Sequence, residues 1–372
     1  MPLFIGLMSG TSLDGVDGVL VDIDESGTQA RPVAHHHVAL DAALRGDLLA
    51  LNHSGADEMH RAALAANSLA RHYADVVQAL LAASGTPRQR VAAVGAHGQT
   101  VRHRPAEFDG TGYTLQLLNG ALLAELCGID VICDLRSRDV AAGGQGAPLA
   151  PGLHAALFAT PGTARAVLNL GGIANLTLLP PSGAVTGFDC GPANALMDGW
   201  CARHLGQPFD AAGRWAARGR VATALLDALR KEPWLEAPPP KSTGRDLFHL
   251  GWLDVHVARH APQVAPVDVQ ATLLAFTVDC VQRHLQRHAP ATEALFVCGG
   301  GAFNDALMAA LVSALPSVRV DTTAALGLPV DQVEAAAFAW LAHRFVTGHG
   351  GNLPTVTGAR GDRRLGALYP AH

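Results

Sequence analysis

The stretch FIGLMSGTSLDGVDGVLVDID, Phe4 to Asp24, decides how this chain is read. A short apolar run enters a turn rich in glycine, hydroxyl and carboxylate groups, and a second apolar run leaves it. Gly10, Thr11, Ser12, Asp14, Gly15 and Asp17 crowd together there. Glycine lets backbone N–H groups approach an anion, hydroxyls donate to it, and carboxylates hold a divalent metal. A Walker-type phosphate loop would lead into a helix through Lys-Ser/Thr. No lysine follows here, and the β-branched Val16, Val19, Val21 and Ile23 predict a strand. The element therefore reads as a β-hairpin. A glycine-rich hairpin turn is also simply a good turn. On this stretch alone, phosphate binding and plain turn chemistry stand level.

Outward from the hairpin, composition sets the bounds. The chain has 372 residues, 49% hydrophobic and 16% charged, with a net charge of −5. That is enough for two cored domains and too apolar for a disordered chain. No basic footprint supports nucleic-acid binding. Apolar runs stop short of about 18 residues, so no membrane span is expected, and no basic leader precedes the first strand. The six cysteines are scattered without a CxxC pair, which points to reduced thiols and a cytoplasmic protein.

The order of elements predicts an α/β architecture. Residues 31–40 read as a strand carrying His35, His36 and His37. Neighbours on a strand face opposite ways, so the three cannot converge on one ion. A helix is predicted over 57–84, stopped by Gly85 and Pro87. Strands follow at 91–100 and near 131, with a helix between. Composition changes near residue 135, where 134–151 reads as a long glycine- and proline-rich loop. ARAVLNLGGIANLTLLP, 164–180, then repeats the opening pattern of strand, glycine turn, strand. This echo suggests a duplicated architecture, with domains at 1–133 plus about 345–372 and at 134–344. Helices are expected over 193–206, 220–230, 266–288 (capped by Asp268), 304–314 and 331–346. The last is a candidate dimer face, with burial in the core as the competing reading.

Four polar clusters fall at strand ends, where ligands gather in α/β sheets: the opening turn, AHGQTVRH (96–103), GFDCGPAN (187–194) and CGGGAFND (298–305). Asp189, set between glycine-rich flanks, is a candidate general base. An Asx-turn role is the alternative. Gly299, Gly300 and Gly301 let a ring or phosphate lie against bare backbone; tight helix–strand packing competes. His97 offers a substrate hydrogen bond or is a buried, satisfied histidine. Arg136, Arg138 and Asp139 suggest a carboxylate clamp or a surface pair. His284 and His288 read as a solvated pair on one helix face.

LMSGTSLDGVD, GAHGQTVRH, DVAAGGQGAPL, LNLGGIANLT, GFDCGPANALMD, PKSTGR and VCGGGAFN, in that order, closely resemble the anhydro-N-acetylmuramic acid kinase family. The resemblance runs from Gly6 to the terminal GALYP. It implies the fold of the acetate kinase, sugar kinase, heat-shock ATPase and actin superfamily: two duplicated actin-like, ribonuclease-H-like domains with an ATP cleft between them.

The implied reaction opens 1,6-anhydro-N-acetylmuramic acid with water and passes the γ-phosphoryl of ATP to O6. The products are N-acetylmuramic acid 6-phosphate and ADP, in peptidoglycan recycling. The resemblance further implies that the run Gly10, Thr11, Ser12, Leu13, Asp14, Gly15, Val16 and Asp17 holds the ATP phosphates, with Asp14 on Mg²⁺. Asn169, Gly171 and Gly172 would form the second phosphate hairpin, and Gly299–Gly301 the adenosine-side turn. Asp189 would activate the water, and His97, Gln99, Arg138 and Glu334 would surround the sugar. Two departures stand out: GPGN reads GPAN, with Ala193, and GNP reads Leu118, Asn119, Gly120. The alternatives are a related sugar kinase with another acceptor and an ATP-switched, chaperone-like protein.

Overall fold

The computed structural model describes residues 2–10, 13–244 and 247–371. Thr11 and Ser12 of the opening turn lie outside the described residues. The opening run forms β1 (Leu3–Met8) and β2 (Gly15–Ile23), paired antiparallel from Leu3↔Asp22 to Met8↔Asp17, as the hairpin reading predicts. β3 (Ala30–Ala39) extends the pair, followed by α1 (Ala42–Ala50) and α2 (Glu58–Ser84). Helix α2 buries Leu69, Tyr73, Val76, Val77 and Leu80 on one face and ends at Gly85, whose φ of +63° glycine adopts readily. Next come β4 (Val91–Ala96), the separate hairpin of β5 (Gln99–Pro105) and β6 (Gly112–Leu117), α3 (Gly120–Cys127) and β7 (Val131–Cys133). The stretch expected to be a loop contains α4 (Ser137–Ala141) and the start of α5 (Ala150–Phe158).

The second half contributes β8 (Arg165–Leu170), β9 (Ile173–Leu179), β10 (Thr186–Pro192), α6 (Asn194–Leu205) and α7 (Thr223–Leu229). It continues with α8 (Leu250–His260), α9 (Pro266–His288), β11 (Ala294–Cys298), α10 (Asp305–Ala314) and β12 (Arg319–Thr322). The chain closes with α11 (Val333–Val346), α12 (Pro354–Thr357) and β13 (Ala367–Tyr369). Asp268 is not the cap of α9. Ala265 holds that position, and the Asp268 carboxylate accepts from the Arg220 N–H instead.

The duplication is explicit in the sheets. The first runs β13-β7-β4-β1-β2-β3 and the second β10-β9-β8-β11-β12. Stripped of β13, the first reads β3-β2-β1-β4-β7. Both sheets thus place their first three strands antiparallel and their last two parallel to the first. The glycine turns β1–β2 and β8–β9 occupy the same place in the two copies.

Two compact units result: residues up to Leu157 together with those from Gln332 onward, and Phe158–Asp331. The sequence reading set the borders at 133/134 and 344/345. Packing moves them. A Cβ on Gly6 would lie 1.8 Å from the Ala335 carbonyl oxygen, and one on Gly95 2.0 Å from that of Phe338. Helix α11 therefore lies directly on β1 and β4, its alanine-rich face buried in the first unit. That burial, rather than a dimer contact, accounts for its apolar character. The 134–157 stretch joins the same unit through Asp139, whose buried carboxylate accepts from Gly146 N–H, Asn352 Nδ2 and Thr357 Oγ1, each at 2.7 Å. Among the described residues, no helix is long and apolar enough to cross a membrane.

Candidate active site

In the first unit the opening turn is held from behind. Leu13 takes a positive φ of +57° and donates its N–H to Gly10 O at 3.2 Å. Gly98 N–H donates to Tyr73 Oη (3.1 Å), Tyr73 Oη lies 3.0 Å from Ser9 Oγ, and Ser9 Oγ donates to Gly98 O (3.0 Å). These three bonds close a buried ring, and burial pushes the Tyr73 phenol up, so it stays neutral. Gln99 Nε2 donates to Gly10 O at 3.1 Å. His97 lies 3.3 Å from Ser9 O through Nδ1 and accepts from Arg136 Nε through Nε2 at 3.0 Å. His97 and Gln99 are thus buried supports of the turn, both ring nitrogens of the histidine being engaged.

Arg136, not Arg138, is the arginine brought to this cluster. Burial lowers its pKa to about 10, opposed by Glu334 and Asp139. Arg138 is exposed on α4, and Glu334 is exposed in the first turn of α11. Leu13 and Val16, expected at the phosphates, are buried in the hydrophobic core of the first unit, Val16 completely. Asp14 is exposed, with Oδ1 accepting from Gly15 N–H at 3.1 Å. Asp17 turns to β3: His37 Nδ1 lies at 3.0 Å and His35 Nε2 at 3.5 Å from its Oδ1. His36 falls on the other face, so the histidine triplet is a carboxylate partner and not a three-ligand cage.

In the second unit three segments form one patch. The β8–β9 turn offers Gly171 and Gly172. Their carbonyls accept from the first N–H groups of α6: Ala193 and Ala195 bond Gly172 O, and Asn194 bonds Gly171 O, all at 3.0 Å. Asn194 Nδ2 also donates to Leu170 O. Ala193, which replaces the family's glycine, has a negative φ of −125° with ψ −112°, so the left-handed backbone that favours glycine is not required there. Gly299 has φ +81°, and a Cβ there would lie 2.4 Å from Asn169 Oδ1. A Cβ on Gly301 would lie 2.5 Å from Leu170 Cβ. Those two glycines are demanded by the fold.

Gly171, Gly172 and Gly300 are not. None has a positive φ, and the nearest atom to an added Cβ is 3.6 Å away or farther. Bare backbone facing open space, without a conformational reason, is what close approach of a ligand requires.

Asp189 lies beside this patch on β10, directly opposite Asn175 of β9, where a bulge at Cys190 breaks the register. Its Oδ1 accepts from Asn175 Nδ2 at 2.8 Å. Its Oδ2 accepts from Ser242 Oγ at 3.0 Å and Thr243 N–H at 2.8 Å. Burial raises the pKa of this carboxyl, and those three donors with Lys241 pull it back. A desolvated carboxylate that remains ionised is a strong proton acceptor. Asn175, Ser242 and Thr243 carried no role in the sequence reading. Only the strand register and the return of the 241–244 loop bring them to Asp189. His284, read as solvated, is buried and bonded to Lys241 Nζ and Cys280 O.

Two ribonuclease-H-like units, each offering a glycine hairpin at the same place in its sheet, define the actin-like class of nucleotide-handling proteins. Within that class, the chain belongs to the anhydro-N-acetylmuramic acid kinase family, whose sequence model matches residues 2–371. Relatives named anhydro-N-acetylmuramic acid kinase are 60% identical in Bordetella petrii, over 99% of this chain and 96% of that one, and 58% identical in Variovorax paradoxus, over 99% of both. Among solved structures, component A of the (R)-2-hydroxyglutaryl-CoA dehydratase of Acidaminococcus fermentans is similar with a TM-score of 0.49 and 13% identity, over 92% of this chain and 98% of that one.

Proposed function

We propose that this protein is an ATP-dependent phosphotransferase that opens 1,6-anhydro-N-acetylmuramic acid with water and phosphorylates O6, yielding N-acetylmuramic acid 6-phosphate and ADP in peptidoglycan recycling. Near-full-length identity of 58–60% to enzymes of that name carries the reading. In this reading Asp189 takes a proton from water as its oxygen bonds C1. The C1–O6 bond breaks, and O6 bonds the γ-phosphorus as ADP leaves. Phosphoryl transfer asks the protein mainly for positioning and charge neutralisation. The hairpin turns and the open backbone of Gly171, Gly172 and Gly300 supply N–H groups for phosphates.

Mg²⁺, which neutralises charge on the transferred group, takes few protein carboxylates and completes its shell with phosphate oxygens and water. The exposed carboxylate of Asp14 suits that role, and among the described residues no closed set of three or more ligands competes for it. The family resemblance is what assigns Glu334 to the sugar. The six buried cysteines, none of them in a disulfide, support a reducing, cytoplasmic setting.

The test is coupled ADP release with ATP in the presence and absence of the anhydro sugar. Sugar-dependent ADP release together with a 6-phosphorylated reducing sugar is expected. ADP release that ignores the sugar would overturn the assignment.

A further inference from the structure

Lys241 stands next to Ser242 and Thr243 and carries a charge for which the proposed reaction has no step. A lysine in a hydroxyl- and glycine-rich loop reads as a phosphate ligand, but its geometry points elsewhere. Its Nζ lies 2.8 Å from Leu235 O, 3.3 Å from Trp234 O and 2.9 Å from His284 Nε2, and 4.3 Å from the Trp234 ring centroid. An ammonium has three N–H donors, and these three acceptors take them. His284 is arranged to accept: its Nδ1–H donates to Cys280 O at 2.7 Å, which leaves Nε2 as the lone-pair atom. Burial, with Lys241 adding to it, lowers the His284 pKa to about 4, so the ring is neutral at pH 7.

The backbone of the same residue reaches the opposite way. Lys241 O accepts from Asp189 N–H at 3.1 Å, and the next two residues donate to Asp189 Oδ2. Among the described residues between the turn ending at Glu236 and the start of α8 the loop has no helix or strand ladder of its own, and the anchored ammonium is one of the contacts that fix it. A carboxylate oxygen has two lone-pair directions. Ser242 and Thr243 fill both on Oδ2, whereas among the described residues Oδ1 accepts from Asn175 alone.

We propose that Lys241 is a positioning residue: held from behind by Trp234, Leu235 and His284, it sets the 241–243 backbone so that Oδ2 of Asp189 is saturated and Oδ1 is the oxygen that takes the proton. This rests on the reading of Asp189 as the base. Besides the charged Glu236 and Arg287 that face Lys241, the titratable groups nearby are Cys190 on the same strand and Cys280, His284 and His288 on α9, the last two packed on the Phe188 ring. Burial raises the thiols and lowers the imidazoles, so all stay uncharged near pH 7. The part of the acid limb that lies above the range in which His284 takes a proton then belongs to Asp189.

The pH dependence of kcat tests this, with ADP titration beside it. Ser242→Ala removes one donor to the ionised carboxyl, which raises its pKa; the acid limb should move up by about one pH unit while ADP affinity stays within about twofold. Ser242→Thr should restore the limb. Lys241→Met should move the limb the same way and lower kcat at pH 7 by about tenfold or more, again with ADP binding retained. A Lys241→Met enzyme that loses ADP affinity tenfold with its limb unmoved would make the lysine a nucleotide ligand and overturn the proposal. If Lys241→Met does not fold, Ser242→Ala decides alone, since its hydroxyl is exposed, and an unmoved limb rejects the idea. Asp189→Asn in the same assay separates the two levels. Retained turnover removes the base itself, whereas lost turnover with an unmoved limb in Ser242→Ala removes only the positioning role.

Discussion

Arg136 donates its Nε–H to Nε2 of His97 at 3.0 Å, and because a guanidinium can only donate, the imidazole is fixed as its Nδ1–H tautomer, pointing that proton at Ser9 O. Burial, with Arg136 adding to it, lowers the His97 pKa to about 3, and burial alone takes His154 to about 3. In the unfolded chain both titrate near 6.5. Between about pH 6.5 and 3 the unfolded state therefore binds protons that the folded state refuses, and stability falls as pH falls. Each group contributes up to about 1.4 kcal/mol per pH unit in that window. Thermal melts from pH 7 to pH 4.5 should show a steady drop in Tm, smaller in His154→Leu; a flat profile would contradict the buried neutral state.

The glycines of the triple run should separate by role. Gly300→Ala meets no atom within 3.6 Å and needs no positive φ, so Tm should stay within about a degree while ATP affinity falls several-fold. Gly301→Ala pushes a methyl to 2.5 Å from Leu170 Cβ, and should cost about 1–3 kcal/mol of stability. Paired melts and nucleotide titrations read the difference. Equal loss of stability in both would remove the argument for a ligand at Gly300.

The helix–sheet contact of the first unit predicts two opposite outcomes for one substitution type. Gly6→Ala and Gly95→Ala drive Cβ into the α11 backbone at 1.8 and 2.0 Å. Each should cost about 3 kcal/mol or more, or abolish soluble expression. Gly46→Ala, on exposed α1 with nothing within 4 Å, should stabilise by roughly 0.5–1 kcal/mol. Urea denaturation of the three variants checks both signs.

Asp189→Asn should keep its fold and its nucleotide. The amide can turn its oxygen to Ser242 and Thr243 and its NH₂ to the Asn175 side chain, itself free to present oxygen. Sugar-dependent turnover should fall by about 10²-fold or more with loss of the proton acceptor. Retention of more than about a tenth of wild-type kcat would show that another group takes the proton.

Much of this was legible along the chain. The β1–β2 hairpin, its echo at β8–β9, helix α2 and the candidacy of Asp189 follow from periodicity, turn residues and motif order, all local properties. The partners of Asp189 were not legible, because Asn175 reaches it across a strand register and Ser242 returns from a loop 53 residues later. Nor was the choice of Arg136 over Arg138: Arg136 caps the start of α4 and reaches into the His97 cluster, whereas Arg138, two residues on, is exposed. The opening stretch by itself determined the hairpin and the absence of a Walker helix. Only the tertiary structure decided that Asp17 faces a histidine pair, that α11 lies on Gly6 and Gly95, and that Lys241 holds a loop. Each depends on which distant side chains packing brings into hydrogen-bonding or van der Waals range, and no local pattern encodes that.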